Sequence, residues 1–229
     1  SIEVLKGPAS ILYGRIEPGG MVNVNTKRPL DTPHGPLEQQ FGSYNFYRTL
    51  WDVGGAITDS RSLSVRFAGG YQNSGSFRDF NFIDRKVFNP SVTWRPTDKT
   101  TMTVDVEILK QDFRADSGIP VIGNRPAPVP ISRSYGDPNT PASFTNKTHI
   151  GFHLDHKLNE SWKLTNRFLS SFIDAESIWA NPAPAFGNAL QADGRTLNRN
   201  IFGQTSYVRT YATNLDLVGT FTVAGTQHK

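Results

Sequence analysis

The fold is decided by stretches such as residues 101–108, which read TMTVDVEI. Every second residue is apolar, from Met102 to Ile108, and the residues between them are polar or charged, from Thr101 to Glu107. Successive side chains of a β-strand point to opposite faces of its sheet, so this alternation predicts a strand with one apolar and one charged face.

The same period of two repeats from residue 37 to the end of the chain. In residues 63–71 the apolar positions are the odd ones, and residues 149–155 and 214–217 show equivalent patterns. The pattern predicts eight strands, each with a polar face. The charged positions predicted on that face are Arg66, Asp105, Glu107, Asp155 and Asp216.

The connections between the strands alternate in length. Residues 58–61, 95–100, 158–161 and 224–227 form short links, and the first connection, near residues 43–45, is also tight. Between them lie long stretches rich in Pro, Gly, Asn and Arg, near residues 73–82, 114–145 and 177–204. A transmembrane β-barrel typically has short turns at one end of its strands and long loops at the other end, and its strands alternate between apolar and polar residues.

Aromatic residues lie at both ends of the predicted strands. Trp94 and Trp162 flank short links, and ten residues separate Trp162 from Phe172, as they do Tyr211 from Phe221. At about 3.3 Å per residue and a tilt of about 40°, each span covers roughly 25 Å, the height of an outer-membrane apolar band. The same aromatics would also suit the core of a soluble β-sandwich, so that alternative stays open here.

The composition excludes several protein classes. The 229 residues carry a net charge of +4 and include no Cys, 20 Gly, 15 Pro, 15 Phe, 7 Tyr and 4 Trp. This mixture argues against a helical bundle, and the absence of Cys excludes disulfides and thiolate metal sites. No apolar run approaches the 18 residues of a membrane-spanning helix. The mild, dispersed positive charge gives little support for nucleic-acid binding.

The first 29 residues have a different pattern. They predict a strand over residues 2–5, a short helix over residues 9–13, a turn at residues 18–20 and a second strand over residues 21–26. The glycines do not form a nucleotide site, because the Gly-Lys-Ser or Gly-Lys-Thr that follows a phosphate-binding loop is absent.

This segment resembles the end of the plug domain in TonB-dependent outer-membrane receptors. Residues 2–14 read IEVLKGPASILYG and residues 18–29 read PGGMVNVNTKRP, and the Pro-Gly-Gly version looks like the ferric-siderophore branch. The motif residues are Glu3, Lys6, Gly7, Pro8, Tyr13, Gly14, Pro18, Gly19, Gly20, Lys27 and Arg28. The resemblance implies a division into residues 1–29, the carboxyl-terminal part of an α+β plug, and residues 30–229, the first eight or so barrel strands.

The resemblance also implies a whole receptor larger than this chain. Its barrel has about 22 strands around a globular plug, so the chain is expected to be a piece that lacks most of the plug, the TonB box and the later strands. An open sheet leaves unpaired backbone at both edges, and the piece is therefore not expected to insert and work alone.

The implied protein is a gated carrier in the outer membrane of a Gram-negative bacterium and not an enzyme. Its partners would be a ferric siderophore, the inner-membrane TonB complex and outer-membrane lipid, with no nucleic acid and a monomeric state. No cofactor is expected, because iron would arrive already chelated. Uptake would be energised by proton-motive force through TonB.

The long loops are the predicted place of ligand capture. Guanidinium groups suit anionic ferric chelates, and aromatic faces suit catecholate or other planar groups. The candidate contacts are Arg125, Arg133, Tyr135 and Phe144 in one loop, and Trp179, Phe186, Arg195 and Arg199 in the next. Ordinary exposed loops would contain the same residue types.

No catalytic set or metal site is predicted. On a strand, His149 and His153 lie about 13 Å apart and cannot share one ion, and His156 falls on the opposite face. Asp105 and Glu107 are about 7 Å apart, with no matching nucleophile. In the plug segment, Glu3, Lys6, Lys27 and Arg28 are candidates for pairing with charges of the barrel wall; solvated surface charge is the alternative.

Two other functions stay open at this point. One is the same receptor class carrying haem, cobalamin or an oligosaccharide. The other is a small complete barrel or soluble β-sandwich that acts as an adhesin or carbohydrate-binding module, which leaves the plug-like segment unexplained.

Overall fold

The computed structural model describes residues 2–7, 19–24, 26–182, 190–223 and 226–228. Within these residues the chain is all-β and its main element is one antiparallel sheet of eight strands, as the alternation predicts. Its strands, in spatial order from one edge, are β3 (Leu37–Gly42), β4 (Phe46–Ala56), β5 (Leu63–Ser74), β6 (Phe82–Thr97), β7 (Thr100–Arg114), β10 (Ser143–Lys157), β11 (Trp162–Pro182) and β12 (Arg199–Gly219).

Three two-stranded sheets accompany the main sheet. They join β1 (Ile2–Lys6) to β2 (Gly20–Val24), β8 (Val121–Ile122) to β9 (Arg125–Pro126), and β13 (Phe221–Val223) to β14 (Thr226–His228). The two strands predicted in the plug-like segment are therefore present. The predicted helix over residues 9–13, together with Pro8, Tyr13, Gly14 and Pro18, lies outside the described residues.

The strand register sorts the side chains of the main sheet into two faces. One row across β4 to β6 joins Val53, Phe67 and Pro90, and the neighbouring row joins Asp52, Ala68 and Asn89. We call the first side of the sheet the apolar face and the second the polar face. Because antiparallel partners share a face, each predicted charged position, from Arg66 to Asp216, lies on the polar face.

Burial on these two faces is the reverse of that in a water-soluble protein. On the apolar face Phe67 is 41% exposed and Val104 is 43% exposed, whereas on the polar face Ser64 is 0% and Thr103 is 3% exposed. A soluble β-sandwich would bury the apolar face instead. An apolar surface turned outward and a polar surface turned inward is the arrangement of a membrane-spanning barrel wall.

Aromatic side chains border the apolar face at both ends of the strands. Near the short turns Trp162 lies so close over Gly219 that a Cβ there would be 2.4 Å from its ring. At the other end Phe172 and Tyr211 meet edge-to-face at 5.9 Å. The Trp162–Phe172 span stays on one face of β11, as predicted, but the Tyr211–Phe221 span is wrong because β12 ends at Gly219 and Phe221 begins β13.

The connections alternate in length as predicted, with some changed bounds. The short turns occupy residues 57–62, 98–99 and 158–161, and the long connections lie between β5 and β6, between β7 and β10 and between β11 and β12. The loop predicted over residues 177–204 is too long, because β11 and β12 stay paired out to Pro182 and Arg199. The predicted turn over residues 224–227 is also too long, since Thr226 already begins β14. The described residues include no helix long and apolar enough to cross a membrane.

Candidate functional site

The polar face carries charges that pair across neighbouring strands. Asp105 Oδ1 lies 3.3 Å from His153 Nε2, and the Glu107 carboxylate contacts the Lys147 ammonium. Asp155 binds Arg167 of the adjacent strand, with an Nη2–Oδ1 distance of 3.3 Å. Each carboxylate is thus paired with a basic side chain of the wall itself, which suits a structural surface better than acid–base catalysis.

The histidines of β10 occupy the positions that the strand period requires. His149 and His153 lie on the polar face, and His156 lies on the apolar face, where its Nδ1 is 2.8 Å from Thr100 Oγ1. Within the described ranges no three His, Cys, Asp or Glu side chains are grouped closely enough to hold a metal ion.

Residues 26–36, here called the connector, link β2 to the first strand of the main sheet. The connector lies against β4, where His34 and Gly54 exchange two backbone hydrogen bonds of 3.0 Å and Asp52 N donates to Pro36 O at 3.1 Å. A Cβ at Gly54 would lie 2.3 Å from Val65 O. The glycine therefore permits the close approach of three backbone segments at this point.

Asp52 on β4 is the first anchor of the connector. Its carboxylate accepts a bidentate bond from Arg66, with Nε–Oδ1 at 2.7 Å and Nη2–Oδ2 at 2.5 Å, and a bond from Lys27 Nζ at 2.9 Å. Arg66 is only 8% exposed and its remaining nitrogen, Nη1, donates to Arg28 O at 2.7 Å. One buried ion pair thus binds both a side chain and a backbone carbonyl of the connector.

Asp31 of the connector forms the second anchor. It accepts hydrogen bonds from the fully buried Ser64 of β5 at 2.7 Å and from Arg95 Nη1 of β6 at 3.0 Å. The bond from Ser64, followed by the charge of Arg95, lowers the pKa of Asp31 below its ordinary value of 3.8. The connector is therefore fixed to three consecutive strands.

This anchor should open at low pH. Because the pKa of Asp31 is lowered in the folded protein, its contribution is present above pH 3.8 and is lost as the pH falls through the folded-state pKa. We expect a spin label at the exposed Thr32→Cys position to become more mobile below about pH 3.8. Asp31→Asn should make the label mobile at every pH, and an unchanged spectrum in Asp31→Asn would contradict the role of this carboxylate.

The plug-segment residues proposed to pair with the wall behave differently from one another. Lys27 does pair with the wall, through Asp52. Arg28 contributes its backbone carbonyl. Glu3 accepts a hydrogen bond from Asn23 at 3.0 Å inside the β1–β2 sheet, and for the exposed Lys6 the described part of the chain shows no acidic partner on the wall. Gly7, Gly19 and Gly20 belong to the ends of that small sheet.

A cavity of about 620 Å³ lies on the polar face beside the connector. Its lining is formed by the connector and by β2 to β7, and includes Lys27, Arg48, Asp52, Arg85, Asn89 and Glu107. Apolar side chains such as Leu50 and Val87 share the lining with these charged groups, so the cavity is of mixed polar and apolar character.

Long loops lie at the opposite end of the strands from the short turns. They are held together by arginines that donate hydrogen bonds to backbone carbonyls. Arg78 donates to Ile131 O at 2.5 Å and pairs with Asp116 at 3.1 Å. Arg114 donates to Thr140 O at 2.8 Å. These bonds fix the 115–142 loop to the 75–81 loop and to the end of β7.

The predicted ligand contacts of the first long loop fall in different places. Arg125 lies in β9 and, like Arg133, is exposed, while Tyr135 is half-buried. The predicted loop position of Phe144 is wrong, because this residue belongs to β10, opposite Asp112 and Glu176 on the apolar face. β10 begins at Ser143, so the strand extends into the region predicted as a loop.

The candidates from the last long loop are also divided. Trp179 lies in β11 and not in a loop, with its ring 4.8 Å from that of Phe202. Arg199 begins β12 and donates to the carbonyls of Tyr135 and Gly136, each at 3.2 Å, so it stabilises the neighbouring loop. Arg195 is exposed in a turn where Asp193 accepts from its backbone N–H at 2.9 Å. Phe186 lies outside the described residues.

Several residues that organise this region are absent from the sequence-based candidates. They are Asp31, Asp52, Ser64, Arg78, Arg95 and Arg114. Alternation does place Asp52 and Arg66 on one face, but many of the arginine contacts end on backbone carbonyls, which every residue type provides. No residue pattern could have indicated those partners.

Comparison with known proteins gives three informative matches. The metal-pseudopaline receptor CntO of Pseudomonas aeruginosa strain UCBPP-PA14 is 30% identical over 230 residues, covering 100% of this chain and 32% of that protein. The ferrioxamine B receptor of Salmonella typhimurium strain SL1344 is 25% identical over 242 residues, with coverage of 100% and 32%. The crystal structure of the ferripyoverdine receptor of the outer membrane of P. aeruginosa superposes with a TM-score of 0.84 at 20% identity, covering 99% of this chain and 30% of that one.

Receptors of this kind match the chain along its whole length, one of them at 30% identity, and this match decides the family. The chain belongs to the TonB-dependent outer-membrane receptors. No family profile matches the chain, and it spans about a third of the length of the curated relatives that it matches. The expected fold class, a partial outer-membrane β-barrel, and the outer-membrane location in a Gram-negative bacterium are confirmed. These relatives are receptors for transport and not enzymes.

For this TonB-dependent receptor segment, the two ends of the strands can be assigned to the two sides of the membrane. Family membership assigns the short turns to the periplasmic side and the long loops to the extracellular side. The connector then lies on the periplasmic side of the polar face, and the arginine-bound loops lie outside the cell. The division into plug and barrel at residues 29 and 30 stays a prediction.

Proposed function

We propose that the complete receptor takes up a chelated metal, in the first place a ferric siderophore, across the outer membrane. Extracellular loops and the plug would bind the chelate, and the TonB complex of the inner membrane, contacting a segment outside this chain, would use proton-motive force to move the plug. The receptor would act as a monomer with no resident cofactor, because the iron is cargo.

The observation that carries this proposal is the ligand class of the relatives that match the whole chain. The receptors matched over 100% of the chain are named for pseudopaline-bound metal and for ferrioxamine B, and the superposed structure contains ferripyoverdine. All of these ligands are metal chelates. A ligand of that chemical class is therefore the best-supported one for this receptor.

The wall described here suits such a carrier. Its polar face is lined by side chains that tolerate water, and its apolar face is compatible with lipid. The connector joins the plug-like segment to β4, β5 and β6 through Asp52 and Asp31. A plug that blocks the lumen needs a fixed attachment of this kind if only part of it is to move.

The exposed loop cations supply a plausible chemistry of capture. Arg125, Arg133 and Arg195 are exposed, and no bond to their side chains is present among the described residues. Guanidinium groups bind anionic oxygen ligands through paired hydrogen bonds. We infer that these three, and not Arg199 or Phe144, are the better contact candidates in this part of the receptor.

Uptake of radiolabelled metal tests the proposal. The complete gene would be expressed in a Gram-negative strain that lacks its own siderophore receptors, and cells would be offered ⁵⁵Fe bound to ferrioxamine B or pyoverdine, or labelled metal bound to pseudopaline. We expect accumulation with at least one chelate, and its loss both after deletion of TonB and after addition of a protonophore.

The same assay separates the alternatives. Accumulation of haem, cobalamin or an oligosaccharide with no uptake of any metal chelate would keep the receptor class and overturn the ligand. Uptake of none of these, together with adhesion to cells or glycans, would favour the binding-module function. Equal uptake in the TonB deletion strain would contradict energised transport.

A further inference from the structure

Residues 131–136 of the extracellular loop between β7 and β10, here called the 131–136 segment, are held in place through their backbone. Arg78 Nη1 donates to the carbonyls of Ile131 and Arg133, at 2.5 and 3.3 Å. The carbonyl between these two accepts from Asp79 N at 2.8 Å. Three consecutive carbonyls of the segment are therefore bound by the neighbouring extracellular loop.

The other end of the 131–136 segment is held from a different strand. Arg199, at the start of β12, donates through Nη1 to the carbonyls of Tyr135 and Gly136, each at 3.2 Å. Five of the six carbonyls of the segment thus accept from groups that lie outside its own loop. The backbone of this segment is fixed by its neighbours and does not depend on its own side chains.

The Arg78 side chain is itself held rigidly. It is only 11% exposed, its Nε lies 3.1 Å from Asp116 Oδ2, and its guanidinium carbon lies 5.0 Å from the centroid of the Phe77 ring. A guanidinium is planar and presents its donors in a fixed fork, so the carboxylate and the ring together set the direction in which Nη1 points. Arg78 can therefore hold the 131–136 segment in one position.

The side chains of the 131–136 segment include two that are turned to solvent. Ile131 is 74% exposed, and Arg133 is exposed with no bond to its guanidinium within the described part of the chain. Arg133 thus has a fixed backbone and a guanidinium that is available to a ligand. Ordering a loop on binding costs free energy, and a backbone that is already ordered avoids that part of the cost.

We propose that Arg78 and Arg199 are positioning residues for chelate capture. They hold the 131–136 segment in the shape in which Arg133 binds the anionic oxygens of a metal chelate. The chelate contacts Arg133, while Arg78 and Arg199 act only through the backbone of the segment. This inference rests on the proposed function, and it adds that the packing between loops sets the affinity for the chelate.

The concentration dependence of uptake by cells that express the complete receptor tests this role. Labelled chelates of ferrioxamine B, pyoverdine and pseudopaline are each titrated. Arg78→Ala should raise the half-saturating concentration about tenfold and leave the maximal rate unchanged, and Arg199→Ala should raise it about threefold to tenfold. A merely structural defect would instead lower the number of working receptors and with it the maximal rate.

A double variant shows whether Arg78 acts through Arg133. Arg133→Ala should also raise the half-saturating concentration about tenfold, because it removes the contact itself. Arg78→Ala/Arg133→Ala should be no worse than the more affected single variant, since residues that act as one unit are not additive. Additive effects of the two substitutions would overturn the proposal.

Two further variants separate position from charge. Arg78→Lys keeps the charge and loses the fork, so the half-saturating concentration should stay raised at least about threefold; full rescue by lysine would overturn the proposal. Lys86→Ala is the matched control, because Lys86 also pairs with an aspartate, Asp84, at 3.3 Å and lies 5.6 Å from the Tyr71 ring. Among the described residues Lys86 has no bond to a loop carbonyl, and its removal should change neither parameter.

Hydrogen exchange of the purified, ligand-free receptor gives a readout that is independent of uptake. The N–H groups of Arg133 and Gly136 donate within the loop, and amides of the 131–136 segment should exchange about tenfold faster in Arg78→Ala. Unchanged exchange would overturn the proposal. Uptake of a chelate with an unmoved half-saturating concentration in Arg78→Ala would reject this inference alone, whereas no uptake of any chelate by the unchanged receptor would reject the proposed function together with it.

Discussion

Ile150→Arg should destabilise the complete receptor by about 2–4 kcal/mol, because it places a guanidinium near the middle of the apolar band. Ile150 lies on the apolar face of β10, is 38% exposed and stands opposite Val106. It is four residues above Leu154, which lies in the same row as Met102 and the border residue Trp94, and this separation is roughly 10 Å in height. In water, an arginine at a partly exposed position would cost far less. Urea unfolding of receptor refolded into lipid vesicles measures the difference.

Asn146→Arg is the matched control for this substitution. Asn146 lies on the same face of the same strand, four residues further toward the extracellular loops, and is exposed. Near the upper boundary of the band the same guanidinium should cost about 0–1 kcal/mol. Equal costs at the two positions would mean that the apolar face does not contact lipid.

Arg66→Ala should both destabilise the receptor and loosen the connector. The substitution removes the buried guanidinium that binds Asp52 through two bonds and Arg28 O through a third. Removing one partner of a buried ion pair costs about 3–5 kcal/mol, and Lys27, which still contacts Asp52, should keep the loss near the lower end of that range. Urea unfolding in vesicles gives the stability, and sensitivity of cells to large antibiotics reports leakage past the plug.

Arg85→Ala is the control for leakage. Arg85 lies on the same polar face and donates to Gln111 Oε1 at 2.6 Å, but it has no hydrogen bond to the connector in the described structure. We expect Arg85→Ala to leave antibiotic sensitivity unchanged, whereas Arg66→Ala raises it. Equal leakage in both variants would show that general loosening of the wall, and not release of the connector, opens the lumen.

The two faces of the barrel wall could be predicted from the local sequence pattern. Residues 101–108 lie within β7, with Val104 and Ile108 on the apolar face and Asp105 and Glu107 on the polar face. This could be predicted because the period of two is a property of each strand alone. The alternating lengths of the connections were also readable, since each strand ends where its alternation gives way to turn residues. The plug motif indicated the family from residue identities.

The extracellular region was predicted less well, and for a physical reason. Composition identified loops rich in Pro, Gly and Arg, yet Phe144 and Trp179 belong to strands that continue beyond the apolar band. Above the membrane both faces meet water, so the alternation that marks a strand weakens there. Arg199, a candidate ligand contact, donates to the carbonyls of Tyr135 and Gly136.

The sequence by itself determined the all-β class, the two chemical faces of each strand and the end of the strands at which the long loops lie, because these follow from short-range periodicity and turn chemistry; the plug motif indicated the receptor family. Only the tertiary structure decided that Asp52, Arg66 and Arg28 meet at the connector, and that Asp31 reaches Ser64 and Arg95. Those contacts depend on strand register and on backbone carbonyl acceptors across long sequence separations, and neither is recorded in the identity of neighbouring residues.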